Sequence, residues 1–352
     1  MKKIYLGILL VLALTAFLLF SQFNISKEMS QYSSSQSPVN MVITGDVMLG
    51  RGVGSAIKSN PNIFGDLKPL FSQSDLVVVN LESPFTYSDE NFKKTVPLKA
   101  DPDYAHILKD NNVTAVALAN NHIMDYGPQG LNDTLAALDK YNITHMGAGE
   151  NLQEALKPAY FNVNGKKIAV INFMDLTTFQ GFSESELPAA TSNSPGFAPA
   201  QWDLVKNSID TAKGQADFVI VFFHYGNEYS LTPNSYQTEL SRKCIDEGAD
   251  MVVGSHPHVP QGIESYKGKL IFYSLGNCVF DQSNPITKDS MVLQLQISNG
   301  NVNVTVIPIH IANSSPKIMS EQPAEDFLER INAESNVKMD IENGKGKLNM
   351  TF

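Results

Sequence analysis

Several apolar stretches of this chain run out at side chains that can hold a divalent metal. Gly45-Asp46 closes one, Asn80-Leu81-Glu82 a second, Asn120-Asn121-His122 a third and His224-Tyr225-Gly226 a fourth. A further short apolar segment leads into Gly254-Ser255-His256-Pro257-His258-Val259. Carboxylate, amide oxygen and imidazole together suit a borderline dication such as zinc, manganese or iron, as one ion or two. Each group alone has an ordinary reading: a turn aspartate after glycine, a polar strand end, a loop asparagine before a helix. Their recurrence at one kind of place points to chemistry, because open α/β sheets bind ligands at the carboxyl ends of their strands.

The spacing adds detail. Asn80 and Glu82 alternate onto one side of an extended chain. Asp46 and Glu82, at neighbouring strand ends, would repel each other unless a cation or proton sits between them. His256 and His258 stand two apart, and Pro257 biases His256 toward extended backbone, so an extended segment would turn both rings to one side. Asn121 and His122 are adjacent, and Asp125 is placed to orient the His122 ring and raise its pKa. Glu228 is a candidate support for His224. His106, His145 and His310 have no such setting and read as structural.

These groups need a scaffold, and the hydrophobic pattern supplies one. Strands are expected at 41–44, 75–81, 113–118, 143–146, 167–173, 218–223, 251–253, 270–274, 290–297 and 302–311. FVIVFF at 218–223 is apolar throughout, as a strand buried on both faces must be. Helices are expected at 128–141, where Leu131, Leu135 and Leu138 share a face behind Pro128, and at 202–212, 235–247 and 323–335. Asn299-Gly300 signals a hairpin. Strands and helices alternate to about residue 255 and strands then dominate, which predicts an α/β fold with a large mixed sheet or sheet sandwich. The polar tail after 337 carries little pattern.

With 43% hydrophobic and 18% charged residues, the chain can bury a substantial core. Its net charge of −10 excludes the basic face of a nucleic-acid binder. Lys2 and Lys3 precede an uncharged apolar run over 4–20, the length of a short membrane-spanning helix, and their position predicts the N-terminus inside and the remainder outside. A cleaved signal peptide is the rival reading, but no small-x-small site follows the run. The expected organisation is an anchor (or signal peptide) over 1–20, a Ser-rich linker over 21–40, the main domain over 41–320, and a C-terminal helix and tail over 321–352. Cys244 and Cys278 either pair across the fold or lie as separate buried thiols.

The segments TGDVMLGR, NLESP, ANNHIMDYGPQGL, HYGNEY, GADMVVGSHPHVPQGIE and YSLGNCVFD, spread over residues 41–281, resemble the CapA family of poly-γ-glutamate capsule synthesis proteins. The domain of that family is similar to the calcineurin-like metallophosphoesterases. The resemblance implies a four-layer αββα sandwich with metal at the strand ends, held by Asp46, Glu82, Asn121, His224, His256 and His258. It implies that His122 assists a leaving group with Asp125 beside it, and that Arg51 and Asn80 face substrate. It also implies a membrane-anchored, extracytoplasmic protein of poly-γ-glutamate synthesis or export, whose partners are the anionic polymer or its synthetase subunits. The alternative is an exported metal-dependent hydrolase of a phosphoester or amide. One departure stands out. The phosphoesterases carry Asp-x-His where this chain has Asp46-Val47-Met48, and an aspartate where it has Glu82, so one metal position lacks an imidazole.

Overall fold

Along each central strand, successive side chains enter different apolar layers. In β1 (Val39–Val47), Met41 and Ile43 join one buried cluster while Val42 and Val47 join another. In β9 (Phe218–His224), Phe218, Ile220 and Phe222 enter the first of these clusters, and Val219, Val221 and Phe223 enter a third. The shared cluster is therefore the layer between two sheets. Each large side chain there contributes about 1.5–3 kcal/mol by leaving water.

The computed structural model describes residues 37–91, 96–179, 181–183 and 186–352, together with Thr15 and residues 20–22. The chain divides into two units, and Val39–Phe352 carries every described strand. Most of the anchor expected over 1–20 and most of the 21–40 linker lie outside the described residues. Among the described residues, no helix is long and apolar enough to cross a membrane.

The ten-stranded sheet runs β17 (Asp340–Glu342), β18 (Lys345–Thr351), β15 (Asn301–Ala312), β14 (Asp289–Ile297), β1, β2 (Leu76–Leu81), β3 (Ala115–Ala117), β4 (Thr144–Met146). Off this path, β13 (Asn277–Val279) pairs with β1 and β16 (Ser315–Ile318) with β15. The six-stranded sheet runs β11 (Ile263–Tyr266), β12 (Lys269–Phe272), β10 (Met251–Ser255), β9, β7 (Lys166–Met174), β6 (Ala159–Val163). A small pair joins β5 (Ala148–Gly149) to β8 (Gly196–Phe197). Strands β1 to β4 are parallel, as are β7, β9, β10 and β12.

Helices cover the outer faces. Val53, Ile57, Phe71, Leu108, Leu131 and Leu138 pack on the ten-stranded sheet. Val205, Ile209 and Ala212 of Trp202–Lys213, with Leu240, Cys244 and Ile245 of Ser235–Asp246, pack on the six-stranded one. The order is helix, sheet, sheet, helix, a mixed α/β architecture.

The structure adds elements absent from the expected map, among them helix Ala105–Asp110 and strands β6, β11, β13 and β16, and amends it in three further places. Helix Arg51–Ser59 was not foreseen. The C-terminal helix spans Glu321–Glu334. The expected tail is instead the β17–β18 hairpin, paired to β15 from Asn301↔Thr351 to Val306↔Gly346. Lys345, Lys347 and Asn349 give that segment a polar composition, but they alternate with buried Gly346, Leu348 and Met350. The cysteines are both free and buried in different layers, Cys278 under the first sheet and Cys244 under the second. Burial pushes the Cys278 thiol up to about 12 and raises Cys244 further.

Candidate metal centre

Parallel strands deliver their carboxyl ends to one edge, and the register keeps those ends level. Asp46 pairs with Asn80, which pairs with Ala117. Met174 pairs with His224, which pairs with Ser255. Both sheets thus contribute. Gly45 is required by close approach: a Cβ there would lie 1.8 Å from the Gly276 carbonyl oxygen. The resulting contact lets Asp46 N–H donate to that oxygen at 3.1 Å and brings β13 alongside.

His256 and His258 do not sit on extended backbone. Their φ values are +100° and +59°, so the two-apart rule of a strand fails here. Two left-handed residues flanking Pro257 wrap the chain, and the rings separate to 6.3 Å between centroids. His256 turns toward His224, with its Nδ1 3.1 Å from His224 Nε2, while His258 turns toward Asp46, with Nδ1 3.3 Å from Oδ2.

All six expected ligands come together. His224 Nε2 faces Asn121 Oδ1 at 2.9 Å, His256 Nδ1 at 3.1 Å and Glu82 Oε1 at 3.6 Å. A single N–H cannot serve three acceptors. With Nδ1–H donated to Ser255 Oγ at 3.0 Å, the Nε2 lone pair points at those same atoms. Glu82 Oε1 is also 3.9 Å from Nε2 of His258 and 3.9 Å from Nε2 of His122. Three imidazole nitrogens therefore ring one carboxylate oxygen beyond hydrogen-bond distance.

Two donor groups share Glu82: Glu82, His224 and His256 form one, and Asp46, Glu82 and His258 the other, with the donor atoms of each within 4.8 Å of one another. Asp46 and Glu82 are both fully buried. Two buried carboxylates are costly without compensating positive charge, and nitrogen and oxygen donors at this spacing match a dication of the zinc, manganese or iron type. The residues fit a metal site. Burial depresses the His258 ring, but its hydrogen bond and charge contact with Asp46, joined by Glu228 and Asn277, raise its pKa above the ordinary histidine value.

Around the donors lies a layer of supporting side chains, of which the strand-end pattern placed only Asn80 and Asn120. Asn80 donates to Asp46 Oδ1 at 2.8 Å, and Asn120 donates to Asn80 Oδ1 at 3.2 Å and to the Leu81 carbonyl at 2.8 Å. Asn80 is buried, so it serves Asp46 rather than the solvent face expected of a substrate contact. Asn277 Oδ1 accepts from His258 Nδ1 at 3.0 Å, leaving Nε2 toward Glu82. Ser255, not Glu228, takes the far nitrogen of His224. The remaining signal for this layer was a serine preceding the histidine segment.

His122 donates from Nδ1 to Asp125 Oδ2 at 2.6 Å, and that oxygen also accepts the Leu98 N–H at 2.7 Å. The pairing leaves Nε2 toward Glu82 and an open cleft of about 430 Å³. Arg51 lines this cleft with Asn121, His122, Glu228, Tyr229 and His258. Its guanidinium pairs with Asp281, an anchor missed in the sequence. Met48 points elsewhere: its sulfur accepts the Gly50 N–H at 3.1 Å inside the core beneath the first sheet. His106, His145 and His310 contact Asp110, Asp139 and Asp289, away from this cluster.

Residues 40–282 match the family described as bacterial capsule synthesis protein PGA_cap. The chain is 37% identical over 353 residues to the PGA biosynthesis protein CapA of Bacillus subtilis (strain 168), covering 98% of this chain and 90% of that protein. It is 36% identical over 286 residues to the capsule biosynthesis protein CapA of Bacillus anthracis, covering 79% of this chain and 69% of that one. Among solved structures, a 5'-nucleotidase from Candida albicans SC5314 aligns with a TM-score of 0.39 and 12% identity, over 78% of this chain and 48% of that chain.

Proposed function

Because the chain belongs to the PGA_cap family of bacterial capsule synthesis proteins, we propose that it serves poly-γ-glutamate capsule synthesis or export. In this reading residues 4–20 hold it as a single-pass protein of the cell membrane, with the main domain outside. Its partners are the anionic polymer and the synthetase subunits that make it. The observation that carries a metal-dependent role is the convergence of His122, His224 and His258 nitrogens on Glu82 Oε1 at 3.6–3.9 Å.

Asn121, His224, His256 and Glu82 would hold one divalent ion, and Asp46, His258 and the shared Glu82 a second. A bound ion would supply positive charge to an anionic or carbonyl oxygen of the substrate. Asn80, Ser255 and Asn277 fix the donor atoms. His122, oriented by Asp125, presents its Nε2 to the cleft, where it can deliver a proton to a leaving oxygen or nitrogen. Arg51 offers its remaining donors to a carboxylate or phosphate.

Elemental analysis of the full-length protein purified from membranes tests the site. About one equivalent of manganese, zinc or iron is expected. Less than about a tenth of an equivalent after supplementation removes the proposal. In a capsule-forming cell lacking its own copy, the intact gene should restore polymer and His224→Ala should not. Membrane retention through a carbonate wash tests the anchor; a soluble form beginning after residue 20 would show cleavage instead.

The His122–Asp125 pair favours one further reading, an exported hydrolase of a phosphoester or amide. Turnover by the metal-loaded protein, reduced about a hundredfold or more by His122→Ala, would support it. No turnover on a panel of both bond types would reject it.

A further inference from the structure

The loop that follows His224 is fixed at several points. Gly226 has φ +100°, and a Cβ there would meet the Gln237 side chain at 2.5 Å. The Tyr229 N–H donates to the Pro257 carbonyl at 2.8 Å, and Gln261 Nε2 donates to the Ser230 carbonyl at 2.9 Å. Tyr229 itself takes φ +63°. This loop carries Glu228 and Tyr229, both exposed, into the cleft beside His122 and His258. Among the described residues, no cation pairs with Glu228. Neither donor group at the metal centre includes it.

The same cleft holds Arg51. Its Nε and one Nη reach Asp281, which leaves further guanidinium N–H groups for a ligand. A cleft with a guanidinium and a carboxylate that no Lys or Arg pairs with is poorly matched to a purely anionic segment, because Glu228 repels what Arg51 attracts. The interior of a γ-linked glutamate chain is such a segment: every α-nitrogen is an amide and every α-carbon carries a carboxylate. The amino end differs. There, one α-carbon bears both an ammonium and a carboxylate.

Resting on the proposed role in poly-γ-glutamate synthesis, we propose that the cleft recognises the amino-terminal residue of a γ-glutamyl chain, with Glu228 taking the free α-ammonium and Arg51 the α-carboxylate. The protein then reads an end of the polymer rather than its length. Tyr229, whose backbone is pinned to Pro257, holds the loop that carries Glu228 into the cleft beside His258.

The test compares γ-glutamyl-γ-glutamyl-glutamate with its N-acetyl form, titrated onto full-length, manganese-loaded protein. The free amine is expected to bind about tenfold more tightly, the size of a charge-assisted hydrogen bond in a partly desolvated cleft. Glu228→Gln should bring the ratio to within about twofold with manganese content unchanged, and Glu228→Asp should restore part of it. Equal binding of the two peptides by the unmodified protein, absence of binding by either, or an undiminished ratio in Glu228→Gln each overturns the proposal. A protein that holds metal and restores polymer, yet treats both peptides alike, loses this inference while its proposed function stands. A protein that holds no metal loses that function first.

Discussion

The two halves of the centre share Glu82 but are built differently. Around His224, three donor atoms from both sheets lie 2.9–3.6 Å from its Nε2, and Ser255 fixes the ring from behind. Around His258, Asp46 and Glu82 supply the remaining donors, and Met48 lies in the core with its sulfur occupied by the Gly50 N–H. A thioether is in any case a poor donor for a borderline dication among carboxylates. The difference teaches that a shared carboxylate does not make two positions equivalent. The first should bind firmly and the second weakly.

The largest effect should come from removing what the halves share. Glu82→Gln is expected to weaken metal binding at both positions by on the order of a hundredfold or more. Stripped of metal, this variant should melt no lower than stripped wild type, because it loses a buried charge. A much lower melting temperature for the stripped variant would show that Glu82 is a structural anchor instead. Next come His224→Ala and His256→Ala, each expected to cost ten- to a hundredfold in metal affinity, with His145→Ala as the unchanged control. Equal losses in all three would dissolve the distinction between centre and surface.

Met48→His sharpens the asymmetry. Titration calorimetry should show metal stoichiometry moving from about one toward two. The stripped variant should lose on the order of 1–3 kcal/mol of stability, since an imidazole replaces a packed side chain and must find new partners. Two equally tight positions in the unmodified protein would refute the comparison and favour the hydrolase reading.

The smallest effect is the pH response of the weak half. In stripped protein the His258 pKa lies above the free histidine value of 6.5, so folding favours the protonated ring. That stabilisation is complete below pH 6.5 and disappears as pH rises through the higher folded value. The melting temperature of stripped protein should therefore fall over that window, and His258→Gln should flatten the fall. With metal supplied the trend reverses, because a ligating ring must be neutral.

Much of the centre was legible because each donor ends an apolar run: Asp46, Glu82, Asn121, His224 and His258 announce strand ends by position alone. The strand pattern alone left open whether one sheet or two supply them, and only the family resemblance implied two. Apolar runs such as FVIVFF say that both faces are buried but not what covers each. The backbone of His256-Pro257-His258 was also hidden, because a proline fixes its own φ and biases its neighbour without dictating a left-handed turn on either side. Ser255 and Asn277 act only through other side chains, so no local pattern marks them. The β17–β18 hairpin was hidden by its lysines, although every second residue faces inward.

That hairpin also governs when the domain can be finished. Leu348 and Met350 fill the layer between the sheets, Phe352 lies edge-on to Phe218 at 4.9 Å, and Lys269 donates to the Thr351 carbonyl. Phe218 begins the strand whose far end is His224. Residues 345–352 are synthesised after everything they pack against, so this core stays open until they arrive. Until that segment exists, the inter-sheet layer around Phe218 lacks one of its walls.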